Sequence, residues 1–365
     1  MPNSNITYAK ALGIILMVWG HSGTFSYIRD FIYMFHMPLF FFCAGYCFKE
    51  SYYHTPIKFF WRRVKGLWWP YVKWSLLFLL LHNLFFTVGI YDTASNHLFN
   101  KEELLQHATS IITTQYQEQL QPFWFLKALL FGSLIAFSIL IVAHILNKTI
   151  GAICVKCGRK PCNCALAFKL MGGAILTVLM MRSFHFHNTF IDFLFSPRQF
   201  LAALLFLTGH IFAYLNVRKF GLPYIAIAFV SVFTASRYWL METAPNFYDN
   251  HILLQYTITA ILGTWMIYSL PWHLMGERMT KIMQFTGTHT LTILTWHFLC
   301  FKIISFAIIA IYGLPHEKLS DFPIIDEYAS KGWWVAYLLV GTTIPLLMAK
   351  ITEYIESWYS EGQRC

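Results

Sequence analysis

Apolar positions along this chain run on without the strict alternation of a half-buried strand, and polar residues gather between the runs. Runs of roughly 18 to 22 apolar residues are long enough to cross a bilayer core as helices, whereas an open sheet could not satisfy its backbone there. The pattern therefore predicts ten membrane helices, near 8–25, 31–48, 67–88, 122–145, 165–181, 199–215, 221–240, 251–271, 288–312 and 332–352. The first run is too long, and followed by too many others, to read as a cleaved signal peptide. No internal repeat or low-complexity linker divides the chain, so residues 1–365 are expected to form a single all-α, polytopic membrane domain.

Composition agrees with the pattern. Apolar residues make up 57% of the 365 and charged residues 12%, with a mean hydropathy of +0.51. That leaves too little polar surface to cover a soluble globule. Orientation follows from the Lys and Arg, which cytoplasmic loops retain. With the N-terminus inside, the inner segments hold Lys49, Lys58, Arg62, Arg63 and Lys65 after the second span, and Lys148, Lys156, Arg159 and Lys160 after the fourth. The outer segments hold few cations and most of the acids, among them Glu102, Glu103, Glu317 and Asp321. Both termini are expected to be cytoplasmic. This topology accounts for most of the net charge of +10, so the pI of 9.1 does not argue for a nucleic-acid partner.

Ionisable residues inside such runs are expensive, and a functional role is their default reading. The first run, YAKALGIILMVWGHSGTF, is apolar apart from Lys10 and His21, and the second, FIYMFHMPLFFFCAGYCF, carries His36 just before its Met-Pro. A short connection makes the two helices antiparallel neighbours, with His21 and His36 flanking the same turn. Lys10 and His21 are eleven residues apart, about 16 Å along one face of a helix. Hydrogen bonding to neighbouring helices would serve as a structural role for each His.

These segments resemble the opening of the acyltransferase 3 family, which reads approximately D..KG...L.V.GHS and then FHMPLFFF.SGY. Three further stretches are similar to family motifs in the family's order: FFWRRVKGLWWPY (59–71), FWFLKALL (123–130) and FTGTHTLTILTWHFLCFK (285–302). The resemblance implies a membrane O-acyltransferase that takes an acyl group, usually acetyl, from cytoplasmic acyl-CoA. The acceptor it implies is a sugar hydroxyl of an envelope polysaccharide or a lipid-linked glycan, and the location a bacterial inner membrane. His21 matches the essential first-helix histidine, Arg62, Arg63 and Lys65 match the basic inner loop, and His297 matches the late-helix histidine. The sequence departs from the family pattern at Thr7, where the family has an acid, and at Gly66, where it has a basic residue.

Physical chemistry allows the same division of labour. Arg62, Arg63 and Lys65, with Lys10, supply cations for the phosphates of acetyl-CoA or another acyl-CoA. Histidine titrates near neutrality and suits a general base that takes the proton of an attacking hydroxyl. It could also carry the acyl group itself as an acyl-imidazole. His36 and His297 are candidates to orient His21 or the acceptor. Trp124 and Phe125 are candidate sugar contacts, with packing as the plainer alternative. A transporter or flippase for a glycan or small anion would also use buried His and Lys.

Two further patterns involve metal-ligand residue types. The cytoplasmic segment 148–165 contains Cys154, Cys157, Cys162 and Cys164, a set that could hold a structural zinc as four thiolates in a reducing compartment. His185 and His187 are two ligands and do not by themselves make a site.

Overall fold

The structure, a computed structural model, describes residues 4–113, 118–183, 194–238 and 250–362, and every regular element among them is helical. In chain order these are α1 (Ser4–His21), α2 (Ser26–Tyr33), α3 (His36–Tyr46), α4 (Pro56–Arg63), α5 (Trp69–Leu80), α6 (His82–Thr87) and α7 (Lys101–Ser110). There follow α8 (Trp124–Lys156), α9 (Ala165–Arg182), α10 (Pro197–Tyr214), α11 (Leu222–Tyr238) and α12 (Asn250–Ser269). The last are α13 (Glu277–Thr288), α14 (Thr290–Tyr312) and α15 (Trp334–Gly362). Among the described residues, five helical stretches are long and apolar enough to cross a membrane: Gln119–Lys156, Ala165–Arg182, Ile252–Leu274, Thr290–Tyr312 and Asp326–Tyr359.

The helices depart from the predicted runs in several places, and two of the departures have a proline as their local cause. The run at 31–48 is broken at Met34 and Phe35, because a continuous helix would require a donor at Pro38 for the Met34 carbonyl. Restarting at His36 puts Pro38 in the first turn, where its missing N–H is harmless. Before the run at 67–88, the backbone widens into a π turn over Val64–Trp68, since Pro70 leaves the Gly66 carbonyl without its usual donor. A second interruption, at Leu81, separates α5 from α6. The run at 122–145 continues to Lys156, making α8 33 residues long, about 50 Å. Much of the segment expected to be a loop at 148–165 is therefore helix.

The chain packs as two compact units. The first takes Met1–His36, Val72–Phe123 and Pro271–Cys365. Within it α1 is central, burying Ala9, Ala11, Ile14, Met17 and Val18 against α2, α13, α14 and α15. The second takes Met37–Tyr71 and Trp124–Leu270. There α8, α9 and α10 pack on one another and α11 pairs with α12.

Candidate active site

His21 is the last residue of α1, and the chain turns immediately after it. Gly23 adopts φ +78°, the left-handed conformation that ends helices and that other residues resist. Trp19 Nε1 donates to Thr24 Oγ1 at 3.0 Å across this turn, and α2 then doubles back. Its return brings the Tyr33 ring onto Gly20 so closely that a Cβ at position 20 would lie 2.6 Å from Tyr33 Cε1. Glycine at 20 is thus what admits the tyrosine.

Tyr33 Oη lies 3.1 Å from His21 Nδ1 and 3.3 Å from the Gly20 carbonyl oxygen. A phenol has one proton to give. Both contacts are hydrogen bonds at once only if Tyr33 donates to Gly20 and His21 Nδ1–H donates to Tyr33. In that arrangement, when the ring is neutral, the lone pair lies on His21 Nε2. The first unit therefore holds a half-buried imidazole whose tautomer is specified by its neighbour.

The other two candidate histidines flank this pair. The His297 ring is 5.8 Å from that of His21, centroid to centroid, and Phe298 packs edge-on to His21 at 5.1 Å. His297 is fully buried; its Nδ1–H donates to the Ile293 and Leu294 carbonyls at 3.0 and 3.1 Å, and its Nε2 is buried with no hydrogen-bond partner. His36 likewise donates from Nδ1 to the Ile32 carbonyl at 3.0 Å, with its ring 5.1 Å from that of Tyr33. One turn beyond His297 and Phe298, Lys302 is buried and gives its protons to the Leu319 and Asp321 carbonyls at 3.0 and 2.7 Å. Tyr33 thus links His21 to His36, and His297 meets the His21 ring directly. Lys10, by contrast, is half-buried about three turns before His21 on α1 and contributes nothing to this cluster.

The basic residues lie in the second unit. Arg62 and Lys65 are exposed, and Arg62 Nη1 donates to Tyr52 Oη at 2.7 Å. Arg63 is half-buried, its guanidinium stacked over Phe59 at 4.9 Å and Phe206 at 5.4 Å. Burial, and then the Arg62 charge beside it, pull the Arg63 pKa down to about 10. Such a cation gains from an anion brought to it. Trp124 is half-buried, with the Arg198 guanidinium 5.3 Å from its ring, whereas Phe125 is enclosed by Phe40 and Phe41 at 5.6 and 5.1 Å. Phe125 is therefore part of the aromatic core, the plainer of its two expected roles.

No group of three or more His, Cys, Asp or Glu side chains among the described residues stands close enough to hold a metal ion. Cys154 stays in the last turns of α8, while the Cys162 and Cys164 sulfurs sit 3.1 Å apart as free thiols. The hydrogen bond with Cys164 raises the Cys162 pKa. As arranged, Cys154, Cys157, Cys162 and Cys164 do not fit the tetrahedral zinc site expected of them. His185 and His187 lie outside the described residues.

Tyr33 is the residue that sequence reasoning missed. Its signal was its place three before His36, one turn along a helix, which set an aromatic hydroxyl beside the turn that both histidines flank. The family model described as an acyltransferase domain matches residues 3–350, nearly the whole chain, and so spans every histidine of the cluster and the basic segment. Neither the curated proteins nor the solved structures offer a match. An all-helical chain with several helices able to cross a bilayer, matched over almost its full length, belongs to the acyltransferase 3 family of membrane acyltransferases.

Proposed function

We propose that this membrane acyltransferase moves an acyl group, acetyl in the simplest case, from cytoplasmic acyl-CoA to a sugar hydroxyl, with His21 as general base. The acceptor in this reading is an envelope polysaccharide or a lipid-linked glycan, and the enzyme lies in a bacterial inner membrane. Ten spans with both termini cytoplasmic belong to the same proposal, supported by the uneven distribution of Lys and Arg.

The observation that carries it is the position of Tyr33 Oη between His21 Nδ1 and the Gly20 carbonyl, which fits an Nδ1–H tautomer and, in the neutral ring, leaves Nε2 free to accept. His21 Nε2 takes the proton of the acceptor hydroxyl as that oxygen attacks the thioester carbonyl. The imidazolium then returns the proton to the departing thiolate, so the base is regenerated and the products are an ester and a free thiol. His297, its Nδ1–H committed to the backbone, offers a bare Nε2 beside this ring and is assigned to hold the acceptor or the imidazolium by accepting a hydrogen bond. Arg62, Arg63 and Lys65 are assigned to the donor's phosphates, for which guanidinium groups are matched donors.

Purified protein incubated with radiolabelled acetyl-CoA and envelope glycan tests the reading directly. Label recovered on the sugar is the expected result. Glycan counterflow without acylation would instead favour a carrier.

A further inference from the structure

The second unit contains a cavity of about 170 Å³ that the acyl-transfer reading does not use. Lys169, in the second turn of α9, lines it and is 96% buried by its complement of 4% exposure. Its ammonium stands over the Tyr214 ring at 3.6 Å. Its ion-pair partner, Glu50 Oε1, is 3.9 Å away, beyond hydrogen-bond reach, on a side chain 60% exposed. A buried ammonium has three protons to place, and this pair leaves them poorly served.

The rest of the lining is rich in donors. Asn147 Oδ1 already accepts from the Cys164 backbone N–H at 2.7 Å, and Asn163 Oδ1 from the Ala165 N–H at 3.2 Å. Those bonds settle the orientation of both amides and leave their NH2 groups to be satisfied. Tyr53 Oη stands 3.5 Å from His210 Nε2, and burial, with the Glu50 carboxylate adding to it, pushes the Tyr53 pKa up. Ala165 opens α9, an 18-residue helix whose N-cap, Cys164, makes no side-chain capping bond, and the positive end of that helix borders the same space. The connection leading to it carries Arg159 and Lys160.

We propose that this cavity is a binding site for a phosphate group, held by Lys169 with the amides of Asn147 and Asn163. A phosphate presents several acceptor oxygens to the Lys169 ammonium and the two amide NH2 groups, and its charge complements the ammonium. Glu50 is the internal competitor: it swings toward solvent when the anion enters. The group could be free phosphate or the headgroup of an anionic lipid, since the chemistry is shared. The proposal draws on no residue of the histidine cluster and stands whether or not His21 is the base.

The test uses full-length protein in detergent, followed by its thermal midpoint through tryptophan fluorescence. Inorganic phosphate is titrated against chloride at matched ionic strength, and mixed micelles containing phosphatidic acid are compared with phosphatidylcholine. A saturable upward shift with inorganic phosphate identifies the free anion; a shift with phosphatidic acid alone identifies a headgroup. In either case Lys169→Met should weaken binding by about tenfold or more, and Glu50→Gln should tighten it. Asn147→Asp keeps the acceptor for Cys164 but replaces a donor with a charge, and it should weaken binding even if Lys169→Met does not fold. A shift with neither probe, or one that survives in both Lys169→Met and Asn147→Asp, overturns the proposal.

Discussion

Tyr33 Oη sits 3.1 Å from His21 Nδ1 and donates to the Gly20 carbonyl, so the phenol selects which nitrogen of a neutral imidazole carries the lone pair. A histidine free to adopt either tautomer would present Nε2 in the proton-bearing form part of the time. The tyrosine removes that ambiguity.

His21→Ala removes the proposed base and should lower kcat by a factor on the order of 10² to 10⁴ while leaving protein abundance unchanged. The measurement is acetyl transfer to glycan, normalised to folded protein in the membrane. Turnover near the wild-type rate would take His21 out of the mechanism.

Tyr33→Phe keeps the ring but deletes the relay. A lost hydrogen bond of about 1 kcal/mol predicts a fall in kcat of roughly fivefold, with little change in the KM for either substrate. Nitrogen NMR of labelled histidine provides a second readout, in which the His21 signal should change from one tautomer to a mixture. An unchanged tautomer with unchanged kcat would deny Tyr33 this role.

Gly20→Ala should mimic the loss of Tyr33 from a different direction. The new Cβ would fall 2.6 Å from Tyr33 Cε1, so the ring must move away from His21. Overpacking of this kind costs about 1 to 3 kcal/mol, which lowers the thermal midpoint as well as the rate. Combining Gly20→Ala with Tyr33→Phe should add little further loss of rate, because both act on one contact.

Arg62 and Arg63 differ in what their removal should do. Arg62 is exposed, and Arg62→Ala should raise the KM for the acyl donor by about tenfold with kcat preserved. Arg63 also packs over Phe59 and Phe206, so Arg63→Ala should in addition destabilise the fold by about 1 kcal/mol. Donor kinetics and thermal melts separate the two, and an unchanged donor KM in the double variant would remove the assignment.

The first turn of α7 should loosen in acid. Glu103 accepts from the Asn100 N–H at 2.8 Å while Asn100 Oδ1 accepts from the Glu103 N–H at 2.9 Å, and His97 Nε2 lies 3.0 Å from the same carboxylate. The Asn100 bond first, then that of His97, hold the Glu103 pKa below its ordinary value. The unfolded chain therefore takes up a proton before the folded one does. The stabilisation is complete above the unfolded glutamate range and disappears as pH falls through the lower, folded value. Amide exchange in α7, corrected for intrinsic rates, should show protection falling on acidification in the native chain and less so in Glu103→Gln. Identical acid profiles for the two would contradict the assignment.

Long apolar runs interrupted by Lys10, His21 and His36 were enough to identify a helical membrane protein and to single out His21, because hydropathy and the expense of a buried ionisable group are properties of a single segment. The ordered motifs pointed to the family for the same reason: each is read within one stretch of chain. In sequence Glu103 is one acid among several that help set the orientation; only the folded turn shows it engaged in capping α7. The helix break at Leu81, the pairing of Cys162 with Cys164 in place of a four-thiol cage, and the buried Lys169 above Tyr214 likewise required the assembled structure. So did the ring contact of His21 with His297, 276 positions apart in number. A periodic pattern tells which face of a helix is apolar, but which side chains meet across faces is set by packing between segments far apart in the chain, and that is where tautomers, lone pairs and cavities are decided.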